Sequence, residues 1–198
     1  MFNVIVLATA LTLPDQSAPP AVQGYRETSL LGGVGVAAGD TAGGLGFSIS
    51  GLHRISYFEV GGELYGAALF SAVGGIGGLA GLHLGSELSL RALATGGVHG
   101  YDGVGRGILS DDPGVGGTLP YVGGRLVLGY APASGTMFYG LSGMLDEDLG
   151  RERRTSTYET EPWFSDGERY TTSSDHSVGQ TTWGAMFVMG KRFDLASY

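Results

Sequence analysis

Hydrophobic and polar residues alternate one by one along most of this chain. Leu45, Phe47 and Ile49 alternate with Gly46, Ser48 and Ser50, and Phe58, Val60, Leu64 and Ala68 with Glu59, Gly61, Glu63 and Tyr65. Leu88, Leu90, Ala92 and Val98 alternate with Ser89, Arg91, Thr95 and His99. Near the end, Trp183, Ala185, Phe187, Met189 and Phe193 alternate with Thr182, Gly184, Gly190, Arg192 and Asp194. A period of two places successive side chains on opposite faces, which marks strands with one apolar and one polar face. The pattern predicts eight strands, over 30–38, 44–55, 57–70, 76–85, 88–101, 120–131, 136–149 and 179–195.

The connections sort by parity. The second, fourth and sixth are tight, at Ser56, at Ser86-Glu87 and from Pro132 to Gly135. The first and third are short, around Asp40 and around Gly74-Gly75, while the fifth and seventh run over about 102–119 and 150–178. Both long loops therefore lie at one end of an up-and-down sheet, with all the tight turns at the other, the layout of a transmembrane β-barrel. Most predicted strands have the roughly 9–14 residues that a tilted strand needs to cross a bilayer. Closing the sheet removes its edges, which lipid does not tolerate. Tyr57, Phe58, Tyr121, Tyr130, Tyr139, Trp183 and Phe193 fall near strand ends, where aromatic girdles form.

Two other folds fit parts of the pattern. Leu64 to Ser86 carries no Asp, Glu, Lys or Arg and is long enough for a membrane helix. Its glycines each cost about 1 kcal/mol relative to alanine in a helix. A lipocalin-like soluble barrel would have to expose the second face, which holds few charges.

Composition narrows the picture further. Of 198 residues 38 are glycine and 15% are charged, which suits a narrow lumen better than a solvated surface. There is no cysteine, which excludes disulfides, Cys-ligated metals and a cysteine nucleophile. The net charge of −8 argues against nucleic acid as a partner. Val4 to Leu13 has the length of a signal-peptide core, so residues 1–24 are expected to be an export leader and 25–198 the barrel domain.

The final strand carries the most specific motif. Thr182-Trp-Gly184-Ala-Met-Phe187-Val-Met189 follows the order polar, glycine, apolar, apolar, and Gly190-Lys-Arg-Phe193-Asp-Leu195 repeats most of it. Together with the strand pattern over 30–195, this resembles the small eight-stranded outer-membrane barrels of Gram-negative bacteria, the OmpA/OmpX-type, porin-like superfamily. The resemblance implies an all-β, antiparallel, up-and-down transmembrane barrel in the cell outer membrane. It also implies insertion by the barrel-assembly machinery acting on Thr182, Gly184, Phe187, Met189, Gly190, Phe193 and Leu195. The long loops would then be extracellular and the turns and C-terminus periplasmic.

The polar face predicts a lumen holding Arg54, Glu59, Glu63, Tyr65, His83, Arg91, His99, Arg125, Asp146 and Arg192. Charges between low-dielectric walls must pair, so a structural ion-pair network is expected, and eight strands leave an interior that side chains just fill. The alternative is a narrow porin-like ion path through the same residues. A third reading is a lipid A-modifying enzyme built on Ser, His and an acid, but Asp175, His176 and Ser177 are adjacent and point apart on an extended strand. His53 is expected to face lipid near a rim. Arg151, Arg153 and Arg154 would sit above the bilayer, where guanidinium groups can hold lipopolysaccharide phosphates. Asp111-Asp112 and Asp146-Glu147-Asp148 lack a cation-binding spacing, and the glycine runs lack the strand-to-helix context of a phosphate loop. The expected role is non-enzymatic and without cofactor: a monomer in contact with lipid and lipopolysaccharide, serving envelope integrity or surface interaction.

Overall fold

Ten strands form in the computed structural model, which describes residues 26–69, 71–106, 111–132, 135–160 and 169–194. They are β1 (Arg26–Ala38), β2 (Gly43–Ile55), β3 (Phe58–Ala68), β4 (Ala72–Gly85), β5 (Leu88–Val104), β6 (Val115–Tyr130), β7 (Met137–Asp148), β8 (Glu152–Thr160), β9 (Tyr170–Val178) and β10 (Thr181–Asp194). Eight of them close in the order β1-β10-β7-β6-β5-β4-β3-β2, every neighbouring pair antiparallel. β8 and β9 form a separate hairpin beyond the barrel. The export leader at 1–24 and Leu195 lie outside the described residues.

Alternation decides which side chain faces where. Val34, Leu45, Phe58, Ile76, Leu88, Leu126 and Leu141 point outward and are each more than half exposed. Leu31, Tyr65, Leu93, Tyr121, Val127, Phe138 and Met186 point inward and are buried beside the lumen charges. Closure is made by the last strand against the first, with Thr28 opposite Phe193, Val34 opposite Phe187 and Ala37 opposite Gly184. Six aromatic residues expected at the rims, Tyr57, Phe58, Tyr130, Tyr139, Trp183 and Phe193, are exposed on the outer wall.

The run from Leu64 to Ser86 is strand, as the alternation predicts, and not the alternative helix: it forms the end of β3 and all of β4. Three sequence expectations need correction. Gly74 and Gly75 lie inside β4, not in its turn. A Cβ on Gly75 would stand 2.3 Å from the Tyr65 ring and 3.0 Å from His99, so this glycine leaves room for aromatic side chains in the lumen. Tyr121 is not a girdle residue: it points inward at 1% exposure, because β6 starts at Val115 and Tyr121 shares the parity of Arg125. The span 150–178 is largely the β8–β9 hairpin, with Ser156 opposite Ser174. Its strands are rich in Ser, Thr and charge on both faces, so no apolar face marks them in the sequence.

Candidate functional site: the filled lumen and the loop end

Every residue of the expected lumen network faces inward, and the structure divides them into two clusters. Near the tight turns, Glu59 Oε1 lies 2.8 Å from His83 Nδ1 and 3.4 Å from Arg91 Nη1. Arg54 Nη1 approaches His83 Nε2 at 3.3 Å, while its Nε donates to the Ser56 carbonyl at 2.7 Å. Arg91 is fully buried, donates to Ser29 Oγ at 3.3 Å and lies over the Phe138 ring at 4.6 Å. Arg192 reaches Glu27 Oε2 at 3.8 Å and donates to the carbonyls of Pro132 and Gly135 at 3.3 and 3.1 Å. Strands β1 through β5, β7 and β10 all contribute, so this cluster ties together walls that do not pair directly.

Nearer the loops, Arg125 is the hub. Its guanidinium donates to Asp146 through Nη1 at 2.5 Å and Nη2 at 2.9 Å. It also donates to Glu63 through Nε at 3.1 Å and through Nη2. Glu63 stands on β3 and Arg125 on β6, which are not neighbours, so the bond spans the lumen. Tyr65 OH donates to Asp146 Oδ2 at 3.0 Å and meets His99 Nε2. His99 Nδ1 lies 2.7 Å from Asp148 Oδ1, and its ring stacks on Tyr121 at 3.9 Å and 10°. Tyr101 OH bonds the second Asp148 oxygen. A cavity of about 20 Å³ beside Glu63, Tyr65 and Arg125 is the size of about one water.

Sequence reasoning missed Glu27, Ser29, Tyr101, Asp148 and Gln180. Gln180 seals the loop end. Its Oε1 accepts from the amides of Thr41 and Ala42, both at 2.8 Å, and from Thr41 Oγ1 at 2.9 Å. Its Nε2 donates to the Ala42 carbonyl at 3.1 Å and to Thr182 Oγ1 at 2.9 Å. Glu27 was missed because β1 begins at Arg26, before its apolar alternation starts. The signal for Tyr101 and Asp148 was present: each shares parity with a lumen residue two positions earlier, His99 and Asp146.

His53 faces outward at the tight-turn rim, with Nδ1 3.1 Å from Thr28 Oγ1. His176 meets neither of its sequence neighbours. Its Nε2 lies 2.8 Å from Asp112 Oδ2 and 3.2 Å from Ser156 Oγ, and Ser156 Oγ donates to Asp112 Oδ1 at 2.7 Å. Serine and carboxylate thus share one ring nitrogen. A nucleophile relay needs the acid on the opposite nitrogen, but Nδ1 packs against Gly105, where a Cβ would stand 2.0 Å away. The trio instead clamps the hairpin to the β5–β6 connection. Burial works to raise the Asp112 carboxyl, but hydrogen bonds from Ser156, the Gly114 amide and His176 outweigh it and hold the group down at about 2.

Arg151, Arg153 and Arg154 do not converge. Arg151 lies 3.3 Å from Asp40, and Arg154 lies 2.7 Å from Glu152. Arg153 and Arg154 are consecutive on β8 and so face opposite sides. Among the described residues no group of three or more His, Asp or Glu side chains is arranged to hold a metal ion.

No protein-family model matches the chain, and no curated relative does. Solved structures do resemble it. Neisserial surface protein A aligns with a TM-score of 0.56 and 11% identity, over 85% of this chain and 97% of that one. The N-terminal β-barrel domain of OprF from Pseudomonas aeruginosa gives 0.43 and 17%, over 86% and 100%. Ail, the attachment invasion locus protein of Yersinia pestis, gives 0.45 and 10%, over 87% and 100%. At such identities the likeness is one of fold: the chain has the architecture of the small eight-stranded outer-membrane barrels.

Proposed function

We propose that this chain is an integral outer-membrane barrel that conducts little or nothing and serves envelope integrity or surface interaction. The observation that carries the reading is the filled lumen inside an apolar outer wall. A barrel of this kind is a membrane anchor, and what it offers to partners is its loop end, including the β8–β9 hairpin. In this reading the loops face outward from the cell and the tight turns face the periplasm. Insertion uses the final strand, on which Phe187, Met189 and Phe193 are exposed outward while Thr182 and Gly184 face inward. Arg153, on the outer face of the hairpin, remains available to lipopolysaccharide phosphates; Arg151 and Arg154 would first have to leave their carboxylates.

One observation favours a second reading, a narrow cation path. The loop-end cluster sets Glu63, Asp146 and Asp148 against a single arginine, Arg125. Planar-bilayer recording on the refolded protein separates the two. The structural reading expects no steady conductance, and a reproducible cation-selective conductance that changes in Arg125→Ala would replace it with the channel.

A further inference from the structure

The outer wall is apolar along its strands except at its two rims, and the rims differ in sign. At the loop end the outward-facing carboxylates Asp102 and Glu147 are exposed. In the half nearest the tight turns, the outward-facing basic side chains among the described strand residues are Arg26, His53 and Lys191. They stand on β1, β2 and β10, three strands that adjoin across the closing seam. No described Asp or Glu side chain on a strand faces outward in that half, and no described carboxylate pairs with Arg26 or Lys191.

Thr28 is the middle of the three. It lies opposite His53 on β2 and opposite Phe193 on β10. Its Oγ1 is 3.1 Å from His53 Nδ1. With the ring neutral, either the hydroxyl donates to that nitrogen and the ring proton sits on Nε2, or the ring donates and the hydroxyl proton is free. In both arrangements the pair keeps one N–H or O–H donor for an outside acceptor. Lys191 stands opposite Leu30, but its ammonium lies over the Phe193 ring, 5.3 Å from the centroid, which carries it toward the turn end and toward Thr28. A lysine on an apolar wall extends its charge to the interface in this way. Arg26 is the next outward residue of β1 beyond Thr28. Two cations and a neutral donor thus flank one hydroxyl at the rim where a headgroup phosphate lies.

We propose that this rim binds the phosphodiester of an acidic phospholipid in the periplasmic leaflet, with Arg26 and Lys191 pairing to the phosphate and the Thr28–His53 pair donating to it. The inference rests on the membrane reading above, which places the tight turns on the periplasmic side. A zwitterionic lipid carries its own ammonium beside its phosphate. A headgroup without one, such as phosphatidylglycerol, leaves that charge to the protein. The site spans β10, β1 and β2, so one bound headgroup bridges the β1–β10 seam. On the mid-bilayer side Gly51 is exposed, and a Cβ there would meet nothing within 4 Å, which leaves the wall open to the lipid's acyl chain. The chain's net charge of −8 works against acidic lipid, so a preference for it belongs to this rim and not to the protein at large.

A tryptophan at position 30 can report occupancy, because Leu30 is exposed on the outer wall between Lys191 and Gly51. Trp163→Phe, Trp183→Phe and Leu30→Trp together leave it as the one tryptophan of the chain. The barrel is refolded into phosphatidylcholine vesicles containing a minor fraction of phosphatidylglycerol or phosphatidylcholine with brominated acyl chains, which quench nearby tryptophan. Brominated phosphatidylglycerol should associate about fivefold more strongly than brominated phosphatidylcholine, the size of two exposed ionic contacts. Adding Arg26→Gln and Lys191→Gln should abolish the preference. With Trp163→Phe alone, the remaining Trp183, near Glu147 at the loop end, should show none. Equal quenching by the two lipids at position 30, a preference that survives the two glutamine substitutions, or an equal preference at Trp183 overturns the proposal. A heat-shifted gel band from the same vesicles shows that the barrel has inserted; without that band the membrane reading fails and takes the proposal with it.

Discussion

Arg125 and Asp146 face each other from neighbouring strands β6 and β7, joined by two hydrogen bonds of 2.5 and 2.9 Å, while Glu63 bonds the same guanidinium from across the lumen. One cation thus neutralises most of two buried anions. Removing one member of a buried ion cluster leaves uncompensated charge and typically costs about 3–5 kcal/mol. Arg125→Ala should lower barrel stability by that order, read as the urea midpoint in detergent micelles. Glu63→Gln, Arg125→Met and Asp146→Asn combined should recover much of the loss, because both carboxylates that Arg125 neutralises are then removed along with it. A single variant as stable as the parent would remove Arg125 from the hub.

Gly75 makes a steric prediction. Alanine there would push on the Tyr65 ring at 2.3 Å and on His99, in a lumen with little free volume. Overpacking of this kind costs about 1–3 kcal/mol. Gly124→Ala on the outer wall should cost far less. Thermal loss of folded barrel, followed by gel mobility, compares the two directly.

Gln180 holds the β1–β2 connection over the barrel mouth. Gln180→Ala strands the amides of Thr41 and Ala42 without their acceptor, a loss of about 1–3 kcal/mol for a buried group. Hydrogen exchange at those two amides should accelerate while amides in mid-barrel keep their protection. Unchanged exchange at Thr41 and Ala42 would mean that the seal lies elsewhere.

The hairpin clamp should respond to acid. Asp112 is held below its ordinary value of 3.8, at about 2, by its contacts in the docked state. A carboxyl whose folded value is depressed contributes stability above its unfolded value and loses it as the pH falls through the folded one. Docking should therefore be intact at neutral pH and weaken between about pH 4 and pH 2. Proteolytic sensitivity of the β5–β6 connection should rise across that window, and Asp112→Asn should show the high sensitivity at every pH.

The period of two made the barrel legible, because seven of the eight strands carry an apolar face long enough to show it, and β1 shows it from Leu30. Inward parity also identified Glu59, Glu63, Arg91, His99, Arg125 and Asp146 as sharing one space. What alternation cannot provide is depth and partner. Alternation begins β6 at 120 and so sets Tyr121 at a strand end, whereas the strand starts at Val115 and Tyr121 lies inside it. The β8–β9 hairpin buries no apolar face and left no periodic trace. Ser156, His176 and Asp112 meet across 20 to 64 residues of sequence, which only the fold brings together. Gln180 lies at the start of the last strand, and nothing in its neighbours indicates that it closes the mouth.

The central claim, a closed barrel that stands in a membrane with a filled lumen, is tested most directly by gel mobility of protein refolded in detergent, boiled against unboiled. Closed barrels of this kind resist SDS until heated, because opening them breaks the β1–β10 seam and every other strand pair together. The account predicts two bands of different mobility, with β-type circular dichroism in the unboiled sample. A single band from protein that remains in solution without detergent would contradict it.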